Sequence, residues 1–404
     1  MGVRSLLWES CIVLTAISGL CFGGDARSLA PPKATDRIVC LGNSITDGYT
    51  YGQIIMQALK EAGKPVPPVI GAGVASDTAP QMAARLDKTV LVFKPSIVTF
   101  SAGTNDSLRG IAPGQYEQSL REISKKVKEQ GGTMILLTPC VINPGKGGGE
   151  QARKASAEKA AAAEKIGAQY GDVIRTVAAE EGYPVAENNA LMRKAREAGK
   201  EVMSDDGIHP NYFGQSLMAR SILDAMGYAG LPLPAEFKPA LFPGVVREWK
   251  MRLAPADDKQ KPQALDEKSV NELAPDGAWK TYVLPDAVPD AKPSAEDWLE
   301  QIRRNGFGMQ VEKQIGKGLV QAVAVIDAPE ARKAWINTGV NVSTVWLNGR
   351  KLHDQGPAWT GFHAGKERIA VDLKPGKNVL AIEIAGSQFF LSVTDKLVWE
   401  EDLR

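Results

Sequence analysis

The stretch Arg37-Ile38-Val39-Cys40-Leu41-Gly42-Asn43-Ser44-Ile45-Thr46-Asp47-Gly48 joins a short apolar run to a turn of small residues and the start of a helix. A continuous apolar run of that length, closed by turn residues, predicts a strand over Arg37–Leu41 that is buried on both faces. Such strands belong to parallel sheets. The same texture returns at Val66–Ile70, Ser96–Ser101, Thr133–Thr138 and, more weakly, Pro184–Ala186. Helix-period segments lie between these runs or after them, near Tyr51–Gly63, Thr78–Val92, Pro113–Gly131, Glu150–Glu181, Glu187–Gly199 and Asn211–Met226. Strands alternating with helices imply βαβ units, so residues 36–230 are expected to form an α/β domain of three αβα layers around a parallel sheet.

Downstream the texture changes. Residues 231–244 hold Pro232, Pro234, Pro239 and Pro243 and read as a linker or a strap. From 245 to 404, short alternating runs at Lys280–Leu284, Val320–Ile326, Trp335–Thr338, Val342–Leu347, Ile369–Leu373, Val379–Ile384 and Phe389–Val393 predict an antiparallel β-sandwich of the jelly-roll kind. Asn348-Gly349 predicts a hairpin turn, because both residues tolerate positive φ. Pro375-Gly376-Lys377-Asn378 reads as a second hairpin. Seven of the eight tryptophans lie between Trp249 and Trp399, where most would fill a sandwich core and an exposed one could stack on a sugar.

Upstream, Arg4 precedes the apolar stretch Cys11–Phe22, and Gly23, Gly24 and Ala26 follow it. That pattern over residues 1–26 reads as a secretory signal peptide, too short to span a bilayer, and predicts a secreted or periplasmic protein. The 404 residues are 44% apolar and 24% charged, with 48 Lys+Arg against 47 Asp+Glu. The near-neutral balance gives no support for a nucleic-acid partner or an anionic membrane surface. No other segment is apolar enough to cross a membrane. Cys40 and Cys140 fall in apolar runs and are expected to be inert, buried thiols.

Four loops could carry chemistry. Ser44 follows the first strand, at the edge where open α/β sheets place their ligands. Gly71-Ala72-Gly73-Val74-Ala75-Ser76-Asp77-Thr78 follows the second; it nearly spells G-x-G-x-x-G but holds Ser76 where the last glycine belongs, so it is no dinucleotide fingerprint. Gly103-Thr104-Asn105-Asp106 follows the third strand and could aim an amide at an oxyanion, or form an Asx turn. Ser204-Asp205-Asp206-Gly207-Ile208-His209-Pro210 precedes the last helix and holds the one histidine of the α/β half. A carboxylate three residues before a histidine can fold back to fix its tautomer, although a capping Asp beside a surface His is the plainer alternative. His353 and His363 lie in the β-rich half, where they could join Asp354 on a metal or be ordinary surface residues. There is no G-x-S-x-G elbow, H-E-x-x-H or Cys/His cluster.

Taken in order, a Ser after strand one, small residues after strand two, Gly-x-Asn-Asp after strand three and Asp-x-x-His before the last helix resemble the SGNH (GDSL-type) hydrolases. Bacterial thioesterase/lysophospholipase-like members are the most similar, sharing the look of Asp206-Gly207-Ile208-His209-Pro210-Asn211. The resemblance implies a flavodoxin-like SGNH fold with Ser44 as nucleophile, His209 as general base and then acid, and Asp206 as its orienting carboxylate. It further implies that the Asn105 amide and the backbone N–H groups of Ser44 and Ser76 form the oxyanion hole, with no metal or cofactor. Three positions depart from the family pattern: Asn43 replaces an Asp, Gly71 an Asn and Ser76 a Gly. Ser76 is expected to narrow the acyl pocket. The β-rich half resembles galactose-binding-like modules at Val345-Trp346-Leu347-Asn348-Gly349 and Gly376-Lys377-Asn378, more loosely.

These readings together imply an exported serine esterase acting on carboxylic esters, with deacetylation of a polysaccharide or glycoside favoured by the sandwich partner. Two alternatives stay open: a lysophospholipase- or thioesterase-like lipolytic enzyme, and a non-catalytic carbohydrate-binding surface protein. The sequence leaves the oligomeric state open.

Overall fold

The computed structural model describes residues 27–48, 50–145, 156–238, 242–257, 259–273, 277–284, 309–354 and 367–403. The expected leader, residues 1–26, and His363 lie outside the described residues. Those that are described fall into two compact units, one formed by residues up to Gly71 and Asp77–Lys238, the other by Pro239–Leu403 grouped with Ala72–Ser76.

The first unit is built on a five-stranded sheet, in the order β2-β1-β3-β4-β5, of β1 (Ile38–Gly42), β2 (Val69–Gly73), β3 (Ile97–Ser101), β4 (Thr133–Leu137) and β5 (Val185–Ala186). β1 pairs with β3, β3 with β4 and β4 with β5, all in parallel. Every residue of β1 and of β3 is buried, as the unbroken apolar runs require of strands covered on both faces. β2 starts at Val69, later than the expected Val66. Pro67 and Pro68 cannot donate to a ladder; Pro68 instead accepts from the Ile38 N–H at 3.0 Å.

The helices are α1 (Ser44–Asp47), α2 (Thr50–Glu61), α3 (Ala79–Thr89), α4 (Thr104–Leu108), α5 (Pro113–Glu129), α6 (Ala157–Glu181), α7 (Asn188–Glu197) and α8 (Tyr212–Ala225). They form two packed sets, α2 and α7 on α8, and α3 and α6 on α5, which supply the outer layers of the αβα arrangement. The expected start of the α6 segment at Glu150 lies outside the described residues; the helix itself opens at Ser156, whose Oγ accepts the Lys159 N–H. No helix among the described residues is long and apolar enough to cross a membrane.

The second unit is antiparallel. A six-stranded sheet runs β12-β11-β14-β9-β6-β7, from β6 (Glu248–Leu253), β7 (Lys280–Val283), β9 (Val320–Ala328), β11 (Val342–Leu347), β12 (Arg350–Asp354) and β14 (Gly376–Ile384). A three-stranded sheet runs β13-β10-β16, from β10 (Arg332–Thr338), β13 (Glu367–Leu373) and β16 (Leu391–Thr394), and a short pair joins β8 (Met309–Gln310) to β15 (Gln388–Phe389). Trp249, Met251, Ala322, Ile336, Leu380, Ile382 and Phe389 share one core. Trp279 and Trp346 lie in a second apolar cluster with Leu265 and Val323.

The Asn348-Gly349 hairpin forms as expected, with φ of 51° and 81° and Leu347 opposite Arg350. The expected hairpin at Pro375–Asn378 does not. β13 and β14, which flank it, join different sheets, so the turn is a corner between sheets. The Asn378 side chain holds it by accepting the Lys374 N–H at 3.0 Å and donating to the Lys374 carbonyl at 2.8 Å. β6 also lies outside the expected strands, although Trp249 and Met251 alternate with exposed residues as a half-buried strand should.

Candidate active site

Ser44 opens α1, directly beyond the carboxyl end of β1. Asn43 caps that short helix: its side chain accepts the Ile45 N–H at 3.0 Å and is itself buried. The residue that replaces an acid in the expected motif thus serves the turn geometrically, since an Asn side-chain oxygen caps as well as a carboxylate does.

His209 reaches Ser44 from the loop before α8. Its Nε2 lies 2.8 Å from Ser44 Oγ, and its Nδ1 lies 2.5 Å from Asp206 Oδ2. With the ring proton on Nδ1, the imidazole donates to Asp206 and accepts the Ser44 hydroxyl proton, the tautomer that a carboxylate on Nδ1 selects. Asp206 is locked in turn. Its Oδ1 accepts the N–H groups of Ile208 and His209 at 2.8 and 2.9 Å and the Ser204 hydroxyl at 3.2 Å. Burial alone would raise the Asp206 carboxyl, but the hydrogen bonds and charge of His209, with the Ile208 N–H, outweigh it and hold the group at about 2.

The loop is braced from outside. The Asn143 N–H donates to the Gly207 carbonyl at 2.9 Å, and Arg196 Nη1 donates to Asn143 Oδ1 at 2.7 Å. Gly207 has φ of 73°, and a Cβ there would stand 2.1 Å from the Asn143 carbonyl oxygen. Only glycine fits the position.

Asn105 sits in the first turn of α4, and its Nδ2 donates to the Asp77 backbone carbonyl at 2.9 Å. One of its two amide N–H bonds is therefore used to orient the group. Ser76 is exposed, with φ of 69°, a left-handed backbone that glycine adopts without strain. The hydrogen-bonded chain brings together Ser44, His209 and Asp206; Asn105 is held instead on the Asp77 carbonyl, and Ser76 is exposed on its left-handed turn.

Three residues outside the expected set complete the surroundings. Asp106 is fully buried and accepts the Ala79 N–H at 2.8 Å and the Gly103 N–H at 2.9 Å. Burial pushes its carboxyl up against the pull of those donors. Asp77 Oδ2 takes Arg85 Nε at 2.6 Å. Asp77 and Asp106 stood in the quoted motifs without a role. Arg85 had a readable signal of its own, a charge at the spacing of the apolar stripe Ala79, Met82, Ala83 and Leu86.

Among the described residues, no three His, Cys, Asp or Glu side chains group as a metal site. Cys40 and Cys140 are buried and free, and burial pushes their thiols up to about 11 and about 12. They are poor nucleophiles.

Residues 40–217 match the GDSL-like Lipase/Acylhydrolase family. That stretch, 178 of the 404 residues, takes in Ser44, Asn105, Asp206 and His209. Among curated proteins it is similar to Esterase TesA of Pseudomonas aeruginosa, 29% identical over 144 residues that make up 33% of this chain and 64% of the relative. Thioesterase 1/protease 1/lysophospholipase L1 of Escherichia coli is 28% identical over 46% of this chain and 81% of its own length. An acetylxylan esterase of Xylanibacter ruminicola is 30% identical over 49% of this chain, which spans 44% of that relative. The family match thus covers a little under half of the sequence.

Proposed function

We propose that the protein is a serine esterase in which Ser44 is the nucleophile, His209 the general base and then acid, and Asp206 the carboxylate that orients the imidazole. The observation that carries this reading is the continuous chain Ser44 Oγ, His209 Nε2 and Nδ1, Asp206 Oδ2, at 2.8 and 2.5 Å. Ser44 Oγ attacks the ester carbonyl as its proton passes to His209 Nε2; the tetrahedral oxyanion collapses and His209 returns the proton to the departing alcohol. Water then attacks the acyl carbon as it gives a proton to the same nitrogen, and collapse breaks the bond to Ser44 Oγ, which takes that proton back from His209 as the acid leaves. The second N–H of the Asn105 amide serves the oxyanion together with the Ser44 backbone N–H, and the family resemblance adds the N–H of Ser76.

The substrate class we propose is an acetylated saccharide. The acetylxylan esterase relative supports it, as does the second unit by its resemblance to galactose-binding-like modules. In this reading residues 36–230 form the hydrolase domain, 231–244 the linker and 245–404 the accessory sandwich, with residues 1–26 directing export. The esterase and lysophospholipase relatives favour a second reading, hydrolysis of longer acyl esters. Turnover of p-nitrophenyl acetate, butyrate and octanoate and of acetylated xylo-oligosaccharides separates the two. Acetyl esters should be the best substrates, and Ser44→Ala should lower kcat at least about 10⁴-fold on all of them. A preference for octanoate would favour the lipolytic reading, and near wild-type turnover by Ser44→Ala would overturn the nucleophile.

A further inference from the structure

We infer that the buried Asp77–Arg85 pair is a positioning device that registers the Asn105 amide against the turn carrying Ser44. The inference deepens the function proposed above and rests on it. Arg85 leaves the apolar face of α3 with only 10% of its side chain exposed, and Asp77 with 9%. Its guanidinium makes three different bonds: Nε to Asp77 Oδ2 at 2.6 Å, Nη2 to the Gly42 carbonyl at 2.9 Å, and Nη1 to Thr89 Oγ1 at 2.8 Å. Gly42 ends β1 two residues before Ser44. Its backbone is packed so closely that a Cβ would meet Thr46 Oγ1 at 2.0 Å and the Ser101 carbonyl at 3.1 Å. Asp77, at the other end of the pair, presents the backbone carbonyl on which the Asn105 amide is held. A path of short bonds therefore runs from the Ser44 turn through Gly42, Arg85 and Asp77 to Asn105. Asp106 braces the same corner by taking the N–H groups of Ala79 and Gly103.

Stability alone does not ask for this pair, because well-packed apolar residues commonly replace a buried ion pair without loss. What an apolar residue cannot supply is direction. The planar guanidinium fixes two partners at a set angle, and a lysine ammonium on its flexible stem cannot hold both. Misplacing a catalytic group by about 1 Å can cost roughly 10²-fold in rate, so a looser corner should act on turnover rather than on binding.

The test is a double-mutant cycle on the full chain with p-nitrophenyl acetate, using Arg85→Lys, Asn105→Ala and the double variant, each first shown to melt cooperatively. Asn105→Ala should lower kcat by about 10²–10³-fold, the usual effect of losing an oxyanion donor. Arg85→Lys should lower kcat by about 10–100-fold with KM changed less than about threefold. The double variant should be within about threefold of Asn105→Ala, because the registry no longer matters once the amide is gone. Losses that multiply in the double variant, a change in KM alone, or full kcat in Arg85→Lys would each overturn the inference. If Arg85→Lys does not melt cooperatively, Asp77→Asn takes its place in the cycle. If neither variant does, the pair is structural and the inference fails. Ser44→Ala separates the two readings: turnover without Ser44 sinks the proposed function, whereas wild-type kcat in Arg85→Lys beside an inactive Ser44→Ala sinks only the positioning role.

Discussion

Asp206 divides its work between two oxygens: Oδ1 gathers the Ile208 and His209 N–H groups, and Oδ2 faces the His209 ring. With an ordinary value of 3.8 and a folded value of about 2, the group is charged in both the folded and the unfolded chain above about pH 4. A depressed carboxylate stabilises the fold fully above its unfolded value and loses that contribution as pH falls through its folded one. The wild type should therefore melt higher than Asp206→Asn near neutral pH, and the gap should close as pH falls from about 4 towards 2. Thermal melts of both proteins across that window check it; a gap constant down to pH 2 would mean that the carboxylate is not held by charge. The same substitution should reduce kcat about 10⁴-fold at neutral pH, because an amide facing Nδ1 permits the tautomer that cannot take the Ser44 proton.

The loop between Asp206 and His209 works as one element, and Gly207 is its hinge against Asn143. Gly207→Ala would bring a Cβ into the Asn143 carbonyl at 2.1 Å, in a backbone that alanine also disfavours. We expect a lower melting temperature together with at least about tenfold lower kcat, since the loop must shift and carry His209 with it. Unchanged kcat in a folded Gly207→Ala protein would show that the Asn143 brace does not set the imidazole. The loops themselves were legible because each chemical residue sits beside a strand end or a helix start, which local pattern marks. Their mutual support was not. Arg85 meets Gly42 43 positions away, and Asn105 meets Asp77 across 28, contacts that no local period encodes. The corner at Pro375–Asn378 shows the same limit: turn residues announce a reversal of the chain without saying which sheet each strand will join.

At the scale of the molecule, Ser44, Asn105, Asp206 and His209 all precede Lys238, where the first unit ends, and the second unit has an apolar core of its own. Trp249, Trp279, Trp346 and Trp399 are consumed by packing inside that second unit, with exposures of 1%, 7%, 5% and 1%. None of the four can stack on a sugar, so any hold on a polysaccharide there must use other groups. The division of labour is tested by a chain ending at Lys238, compared with the full chain on p-nitrophenyl acetate and on acetylated xylan. kcat/KM on the small ester should stay within about threefold, because the proposed nucleophile, base and oxyanion amide are all retained and small esters need no further surface. A folded, shortened protein without esterase activity would show that the chemistry depends on the second unit. On the polymer, a selective loss would assign substrate capture to the sandwich. Equal rates would instead leave it without that role.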